Sequence, residues 1–270
     1  MAGPAAGSLQ MLKEPLDLSK ARILISNDDG IHAPGLKHLE KIARSLSKDV
    51  WVVAPEDEQS AASHSLTLRR PLRIRKLSRR RYAVDGTPTD SVLLAVTQVM
   101  KDHPPDIVLS GINRGGNMGG DVIYSGTVAA AMEATLLGIP AIALSQHIPP
   151  GGNPRWATAE AHAADVIRRV ADARWPDGVL ININFPDVAA DDVTGVRVTT
   201  QGRRKPGGLI QEGKDPAGRP YFWIGTARAF ADHAEGTDLE TVYGGGISVT
   251  PLYMDLTHRT TVDALRKVIG

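Results

Sequence analysis

Short apolar runs alternate with segments of helical periodicity from the start of the chain to about residue 185, and this alternation constrains the fold more than any other feature. Apolar runs this short are typical of strands that are buried on both faces. They occupy residues 23–25, 50–54, 106–110, 141–144 and 179–183. Helical patterns lie between them, at residues 36–46, 88–99, 127–137 and 156–173. The alternation predicts an α/β fold with a mostly parallel sheet and helices on both faces.

The character of the sequence changes after about residue 186, where Gly and Pro become frequent and the predicted strands are short. We predict a β-rich C-terminal arm over about 186–270, attached to a core over about 21–185, so that residues 21–270 form a single domain. The first 20 residues are rich in Ala, Gly and Pro and predict a flexible N-terminal extension. Residues 66–77 and 82–84 have strand-like patterns on either side of a basic turn and predict a hairpin.

Composition excludes several classes of protein. The chain contains no cysteine, which excludes disulfides and zinc–thiolate sites and fits the reducing cytoplasm, where we expect the protein to be. No apolar run reaches the roughly 18 residues that a membrane span needs, so we expect no membrane partner. The net charge is +1, which gives no electrostatic case for a nucleic-acid partner.

Two adjacent carboxylates follow the first predicted strand, in the sequence Asn27-Asp28-Asp29-Gly30. Open parallel sheets bind their ligands at the carboxyl ends of the strands. A pair of carboxylates followed by a glycine that permits a sharp turn suits a hard cation. An isolated Asp-Asp-Gly is more often an ordinary turn, so the prediction of a metal site depends on the loops around it.

Neutral oxygen ligands are expected at the same edge of the sheet. Ser60 lies just past the second predicted strand, and Asn113 lies just past the strand that ends at Ser110. Two carboxylates with neutral oxygens, and water completing the shell, suit Mg²⁺ or Mn²⁺. The convergence of three loops therefore predicts a divalent metal site.

A phosphate-binding helix start is predicted at Ser125, Gly126 and Thr127, which precede an alanine-rich helical segment. The free N–H groups and partial positive charge of a helix N-terminus bind phosphate, and Gly126 would let the backbone approach closely. The alternative is a plain Ser/Thr cap. Beside a metal site, the phosphate interpretation is favoured, and metal and phosphate together indicate phosphoryl chemistry.

Rival nucleotide and phosphatase motifs are absent from the sequence. The Gly-rich loop at 111–120 lacks the Gly-x-Gly-x-x-Gly fingerprint and is not followed by Gly-Lys-Ser/Thr, which disfavours a dinucleotide-binding module and a P-loop. The aspartates are adjacent, whereas haloacid-dehalogenase phosphatases use Asp-x-Asp. No Gly-x-Ser-x-Gly elbow indicates a serine hydrolase.

Taken together and in order, these motifs resemble those of the SurE (survival protein E) family. The similarity runs from about residue 21 to about 257 and is specific, because separate motifs agree along the chain. They lie at residues 25–31, 53–55 with 59–60, 63–67, 86–90, 110–119, 124–128, 237–238 and 248–252.

The resemblance implies a Rossmann-like core, one divalent cation per subunit, Mg²⁺ or Mn²⁺, and hydrolysis of nucleoside monophosphates at 5′ and possibly 3′ esters, with short polyphosphate as a further substrate. It implies four metal ligands, of which the two aspartates are also catalytic: Asp28, Asp29, Ser60 and Asn113. It implies contacts to the substrate from Asn117, Ser125, Gly126 and Thr127.

Three questions stay open at this point. The substrate could instead be a sugar phosphate, or the chain could be a nucleotide-sensing module without turnover. The attacking group could be water or an aspartate. We also expect a homodimer or homotetramer, because residues 202–236 are too broken by Gly and Pro to bury their own aromatic side chains and because SurE-like proteins exchange C-terminal segments. Those side chains are Tyr221, Phe222, Trp223 and Phe230.

Overall fold

The computed structural model describes residues 15–149, 151–173, 176–205, 210–224 and 230–270. The strands along the core are β1 (Arg22–Ser26), β2 (Asp49–Pro55), β3 (Ile74–Ser78), β4 (Arg81–Val84), β5 (Ile107–Arg114), β6 (Ala141–Gln146) and β7 (Val179–Phe185). The strands that follow are β8 (Val196–Val198), β9 (Arg203–Lys205), β10 (Ile210–Lys214), β11 (Pro220–Ile224), β12 (Phe230–Asp232) and β13 (Ile247–Tyr253). The helices are α1 (Pro34–Leu46), α2 (Pro88–Leu94), α3 (Gly126–Leu136), α4 (Trp156–Asp172), α5 (Asp238–Tyr243) and α6 (Arg259–Ile269).

A single large sheet organises the described part of the chain, with nine strands in the order β3-β4-β2-β1-β5-β6-β7-β13-β8. Strands β4, β2, β1, β5, β6 and β7 are parallel to one another. Strand β3 pairs antiparallel with β4 at one edge, and β13 pairs antiparallel with β7 near the other. The predicted α/β fold class is therefore confirmed.

Helices cover both faces of this sheet and form two separate apolar cores. Ile23 and Ile25 of β1 belong to the core beneath α1 and α4, whereas Leu24 belongs to the core beneath α2 and α3. This alternation follows from the strand period of two residues, and it explains why the apolar run is continuous. The helices of each face bring the loops that precede them to the carboxyl edge of the sheet.

Helix α3 is buried almost all round, because its residues are small. Val128, Ala129, Ala130 and Ala131 are all buried, and the helix packs against β5 and β6 and against α2. Ser125 caps its N-terminus by accepting a hydrogen bond from the Val128 N–H at 3.0 Å. The helix starts at the edge of the sheet where β1 ends.

Three boundaries differ from the sequence-based predictions. The hairpin is shorter than predicted: residues 66–73 do not form a strand, because Leu66 and Leu68 are exposed and have no core to face. Strand β13 inserts between β7 and β8, so these two strands of the predicted arm, β8 and β13, belong to the main sheet. Leu18 is buried in the α1–α4 core, so the packed chain begins before residue 21. Residues 1–14 of the predicted extension lie outside the described residues.

The rest of the arm forms small, separate elements. Strands β10 and β11 pair as an antiparallel hairpin, and β9 pairs with β12. Helices α5 and α6 were not predicted. Phe230 of the predicted aromatic cluster begins β12. None of the helices in the described residues is long and apolar enough to cross a membrane.

Candidate active site

A cleft of about 410 Å³ opens at the carboxyl edge of the sheet, where β1 and β5 end. The loop after β2 and the segment before α3 form its other walls. It is lined by Asp28, Asp29, Glu58, Ser60, Ala61, Asn113, Arg114, Asn117, Asp121, Tyr124 and Ser125. The four predicted metal ligands and two of the predicted substrate residues therefore share one cleft.

Asp28 lies at the back of the cleft and is 6% exposed. Its Oδ1 atom accepts a hydrogen bond from the Thr127 hydroxyl. The pKa of the Asp28 carboxyl is raised to about 6, mainly by burial and also by the neighbouring charge of Asp29, although the Thr127 hydrogen bond acts in the opposite direction. The ionised form of Asp28 is therefore poorly solvated by water at this buried position.

Asp29 is more accessible and faces the same cleft. Its Oδ2 atom accepts a hydrogen bond from the Arg114 backbone N–H at 3.2 Å. Burial raises the pKa of Asp29, and the charge of Glu58 adds to this effect. Among the described residues, neither Asp28 nor Asp29 forms an ion pair with a basic side chain. The charge of Arg114 lowers the pKa of Asp29 only in part, so two neighbouring carboxylates with no salt bridge favour a bound cation.

Asn113 and Ser60 present neutral oxygens to the cleft. The Asn113 side-chain amide donates to the Gly115 carbonyl at 2.8 Å, which commits its nitrogen and leaves its oxygen available as a ligand. The pairing of β5 with β6 shifts register between Ser110 and Asn113, and this irregularity brings Asn113 to the cleft. Ser60 donates its hydroxyl to Glu58 at 2.5 Å and keeps its lone pairs free.

The structure places Gly126 and Thr127 behind Asp28. A Cβ atom on Gly126 would lie 2.7 Å from the Cβ atom of Asp28 and 3.0 Å from its Oδ2 atom. Thr127 is fully buried and donates to Asp28, and neither residue lines the cleft. The close approach that Gly126 permits is therefore to the aspartate, whereas the sequence suggested an approach to phosphate.

A buried polar network fixes Asn117 in the cleft. Its amide nitrogen donates to Ser145 at 2.8 Å, and its backbone N–H donates to Asn184 Oδ1 at 2.8 Å. Its carbonyl oxygen accepts hydrogen bonds from the side chains of Asn182 and Asn184. All four side chains are buried, so Asn117 is held rigidly in the wall of the cleft.

Several residues that line the cleft were not predicted as site residues: Glu58, Arg114, Asp121 and Tyr124. Arg114 follows the predicted ligand Asn113, and Glu58 lies two residues before Ser60. Their proximity in sequence to predicted ligands could have indicated that they line the site. Asp121 pairs with Arg204, whose side chain is fully buried. Asp121 and Arg204 are 83 residues apart, and no local sequence pattern indicates that they pair.

The donor set fits a hard divalent cation. Every candidate ligand is an oxygen, and two are carboxylates. The described part of the chain has no group of three or more His, Asp or Glu side chains that could hold a metal ion. Mg²⁺ commonly binds through one or two carboxylates and keeps several waters, so two aspartates with Ser60 and Asn113 suit it.

Comparison with known proteins gives consistent matches over most of the chain. A family model described as "Survival protein SurE" matches residues 23–207. A protein of Paramagnetospirillum magneticum named 5′-nucleotidase SurE is 65% identical over 249 residues, covering 92% of this chain and 96% of that protein. One of Parvibaculum lavamentivorans with the same name is 57% identical over 252 residues, covering 92% and 91%.

The fold has a close match among solved structures. The crystal structure of the SurE protein from Aquifex aeolicus superposes with a TM-score of 0.80 at 37% sequence identity. The match covers 92% of this chain and 99% of that chain.

Proposed function

Since the chain belongs to the SurE family, we propose that it is a metal-dependent 5′-nucleotidase, which hydrolyses nucleoside monophosphates to a nucleoside and inorganic phosphate. Relatives at 65% and 57% identity over most of their length carry the name 5′-nucleotidase SurE, which supports this activity. The observation that carries the proposal is the single cleft that combines two adjacent aspartates without a salt bridge, neutral oxygens and the capped start of α3.

We assign the metal ligands to Asp28, Asp29, Ser60 and Asn113. When bound, one Mg²⁺ or Mn²⁺ ion would act as a Lewis acid that neutralises charge on the phosphate. Thr127 keeps Asp28 in place and favours its ionised form, which is the form that binds a cation. The backbone N–H of Arg114 does the same for Asp29.

We assign the phosphate to the space between these aspartates and Ser125. Ser125 and Asn117 are both 7% exposed and line the cleft. The network around Asn117 prevents its side chain from turning away, so little conformational entropy is lost when Asn117 orients the ester. The same cleft would accept 3′ esters and the terminal phosphate of short polyphosphate, because it recognises the phosphate group.

We further propose that the protein works as a homodimer or homotetramer. The hairpin of β10 and β11 exposes Phe222, Trp223 and Ile224 in the single chain, each with more than 60% of its surface accessible. Large apolar side chains exposed on both faces of a hairpin are typical of an interface.

A substrate panel tests the function. Nucleoside monophosphates and sugar phosphates are assayed with Mg²⁺, with Mn²⁺ and with excess EDTA. We expect turnover of nucleotides that EDTA abolishes. Faster turnover of sugar phosphates would favour the sugar-phosphatase alternative, and nucleotide binding without turnover would favour the sensor.

Site variants complete this test. Asp28→Asn and Asp29→Asn should each lower kcat/KM by at least a hundredfold, with weaker metal binding in calorimetry. The matched control is Asp165→Asn on the exposed face of α4, where the side chain is 69% exposed. Normal turnover by both site variants at saturating metal would contradict the assignment.

A further inference from the structure

A second cleft of about 450 Å³ adjoins the active site. The two clefts share Asp29, Glu58 and Arg114, so a ligand can extend from one into the other. The remaining walls of the second cleft come from the start of α1 and from the residues just before and at the start of α4. Its volume falls within the range of small-molecule sites.

An aromatic ring forms one wall of this second cleft. Trp156, the first residue of α4, is half-buried and lines it. The Trp156 ring stacks on the ring of His38, with centroids 5.2 Å apart and planes 23° from parallel. The Trp156 side chain therefore presents a supported aromatic surface to the cleft.

The support behind Trp156 is itself fixed. His38 forms a hydrogen bond of 2.5 Å with Glu160, and Lys41 donates to the same carboxylate at 2.8 Å. Gly35 has no side chain and so leaves room for the indole. A Cβ atom there would lie 3.1 Å from Trp156 Cη2 and 1.9 Å from the Ile112 carbonyl oxygen. A ring held in this way loses little freedom when a ligand stacks on it, which favours binding.

The second cleft is apolar at one end and charged at the other. Pro34, Pro154 and Trp156 form the apolar end, and the shared residues Asp29, Glu58 and Arg114 form the end that meets the active site. The nucleoside part of a nucleotide is likewise apolar at one end and polar at the other. The faces of its flat base are apolar, and its ribose hydroxyls lie near the phosphate.

We propose that this second cleft binds the nucleoside half of the substrate, with the base stacked on Trp156 and purines preferred. The preference follows from the larger ring surface of a purine, since stacking on an aromatic side chain increases with the area covered. This inference rests on the proposed function, because the active site must hold the phosphate for the base to reach Trp156. Trp156 is a specificity-determining residue in this arrangement.

Substrates with and without a base test the proposal. Trp156→Leu keeps an apolar side chain and removes the aromatic ring, and Trp156→Phe keeps a ring. With a purine nucleoside monophosphate, Trp156→Leu should lower kcat/KM about tenfold or more, mainly through KM. With ribose 5-phosphate, which has no base, it should change kcat/KM less than twofold, and Trp156→Phe should recover most of the purine activity.

A matched control accounts for general effects of losing a tryptophan. Trp51 on β2 stacks on Tyr82 at 6.3 Å and lies in neither cleft, so Trp51→Leu should lower stability without changing the ratio of purine to ribose 5-phosphate activity. An equal loss on both substrates in Trp156→Leu would overturn the proposal. So would a base-dependent loss in Tyr124→Leu alone, because Tyr124 lines the first cleft.

Direct binding separates failure of this inference from failure of the proposed function. Calorimetry with a purine nucleoside needs no turnover, and its affinity should fall about tenfold or more in Trp156→Leu. If the protein binds the nucleoside through Trp156 but hydrolyses no nucleotide, the enzyme function fails and the binding site stands. If nucleotides are hydrolysed and nucleoside binding ignores Trp156, the binding site fails.

Discussion

The hydroxyl of Thr127, in the first turn of α3, donates a hydrogen bond to Oδ1 of Asp28, two residues beyond the end of β1. The two residues are 99 positions apart in sequence. This contact joins the start of a buried helix to the most buried carboxylate of the proposed active site. It gives Thr127 a role that acts through Asp28, since the Thr127 side chain does not line the cleft.

We expect Thr127→Val to weaken binding of the metal. Valine matches threonine in shape but cannot donate a hydrogen bond, so the ionised form of Asp28 loses a stabilising partner. Loss of a partner that supports a ligand typically lowers metal affinity about 10- to 100-fold. Calorimetric titration with Mn²⁺ measures the effect, and Thr127→Ser, which keeps the hydroxyl, should stay close to the parent. Equal affinities for the valine and serine variants would contradict the role.

Metal-free protein should lose stability as the pH rises through about 6. The pKa of Asp28 is raised from 3.8 to about 6 in the folded state. The folded state therefore binds this proton more tightly than the unfolded chain, and its stabilising effect is complete below about pH 4 and lost above about pH 6. A shift of this size corresponds to about 3 kcal/mol in the free energy of unfolding.

Denaturation with urea at several pH values checks this expectation. Asp28→Asn has no proton to lose at this position, so its stability relative to the parent should increase by up to about 3 kcal/mol between pH 4 and pH 7 in EDTA. Saturating Mg²⁺ should remove the difference by stabilising the ionised parent. A pH-independent difference between the two proteins would argue against the raised pKa.

Gly126→Ala should disturb the metal site. The new Cβ atom would lie 2.7 Å from the Cβ atom of Asp28, closer than real side chains approach, so Asp28 must move. We expect metal affinity and kcat to fall together, by about tenfold or more. Ala129→Gly in the same helix controls for helix stability: it should cost roughly 1 kcal/mol and leave metal affinity unchanged. Normal metal affinity in Gly126→Ala would show that Asp28 tolerates the side chain.

That the candidate ligands share one cleft could be predicted from the sequence, because it depends on a general property of parallel sheets. Asp28 follows one strand with an easily recognised apolar run and Asn113 lies near the end of another, and the carboxyl ends of neighbouring parallel strands meet at one edge. That rule places residues at an edge without specifying their contacts. The turn of Thr127 toward Asp28 depends on how α3 packs, which no local pattern encodes.

The arm was harder to predict because its contacts are distant in sequence. Asp238 is fully buried and accepts hydrogen bonds from the N–H groups of Gly119 at 2.9 Å and Gly202 at 2.8 Å. These contacts stabilise the short helix α5, whose own residues give little helical signal. Strand β13 joins the main sheet between β7 and β8, and an apolar run alone does not say which neighbour a strand will choose.

Arg204→Met should destabilise the protein strongly. The Arg204 side chain is fully buried and pairs with Asp121, which lines the cleft. It also donates to the Tyr243 hydroxyl at 3.2 Å and to the Gly116 carbonyl at 3.3 Å. Breaking a buried ion pair from one side costs about 3–5 kcal/mol.

Denaturation measures this cost against an exposed pair. Arg219 pairs with Asp215 at 2.8 Å on the surface, where its side chain is 79% exposed, so Arg219→Ala should change stability by less than about 1 kcal/mol. Because Arg204 also holds the carbonyl of Gly116, next to Asn117, we expect KM to rise in Arg204→Met. Similar small losses in both variants would contradict a structural role for the buried pair.

The hairpin of β10 and β11 should be the contact between subunits. Phe222 is 63% exposed, Trp223 is 67% exposed and Ile224 is 77% exposed in the single chain. Each such side chain contributes roughly 1.5–3 kcal/mol when fully buried, and an isolated two-stranded hairpin is only marginally stable in water. Light scattering after size exclusion should therefore give a mass of two or four times 28.8 kDa at micromolar concentration.

Replacing Phe222 and Trp223 by Glu should shift that mass toward a single chain. Leu68→Glu changes a leucine that is 84% exposed but lies outside the arm, and it should leave the mass unaltered. A parent protein that elutes as a 28.8 kDa species would contradict the interface.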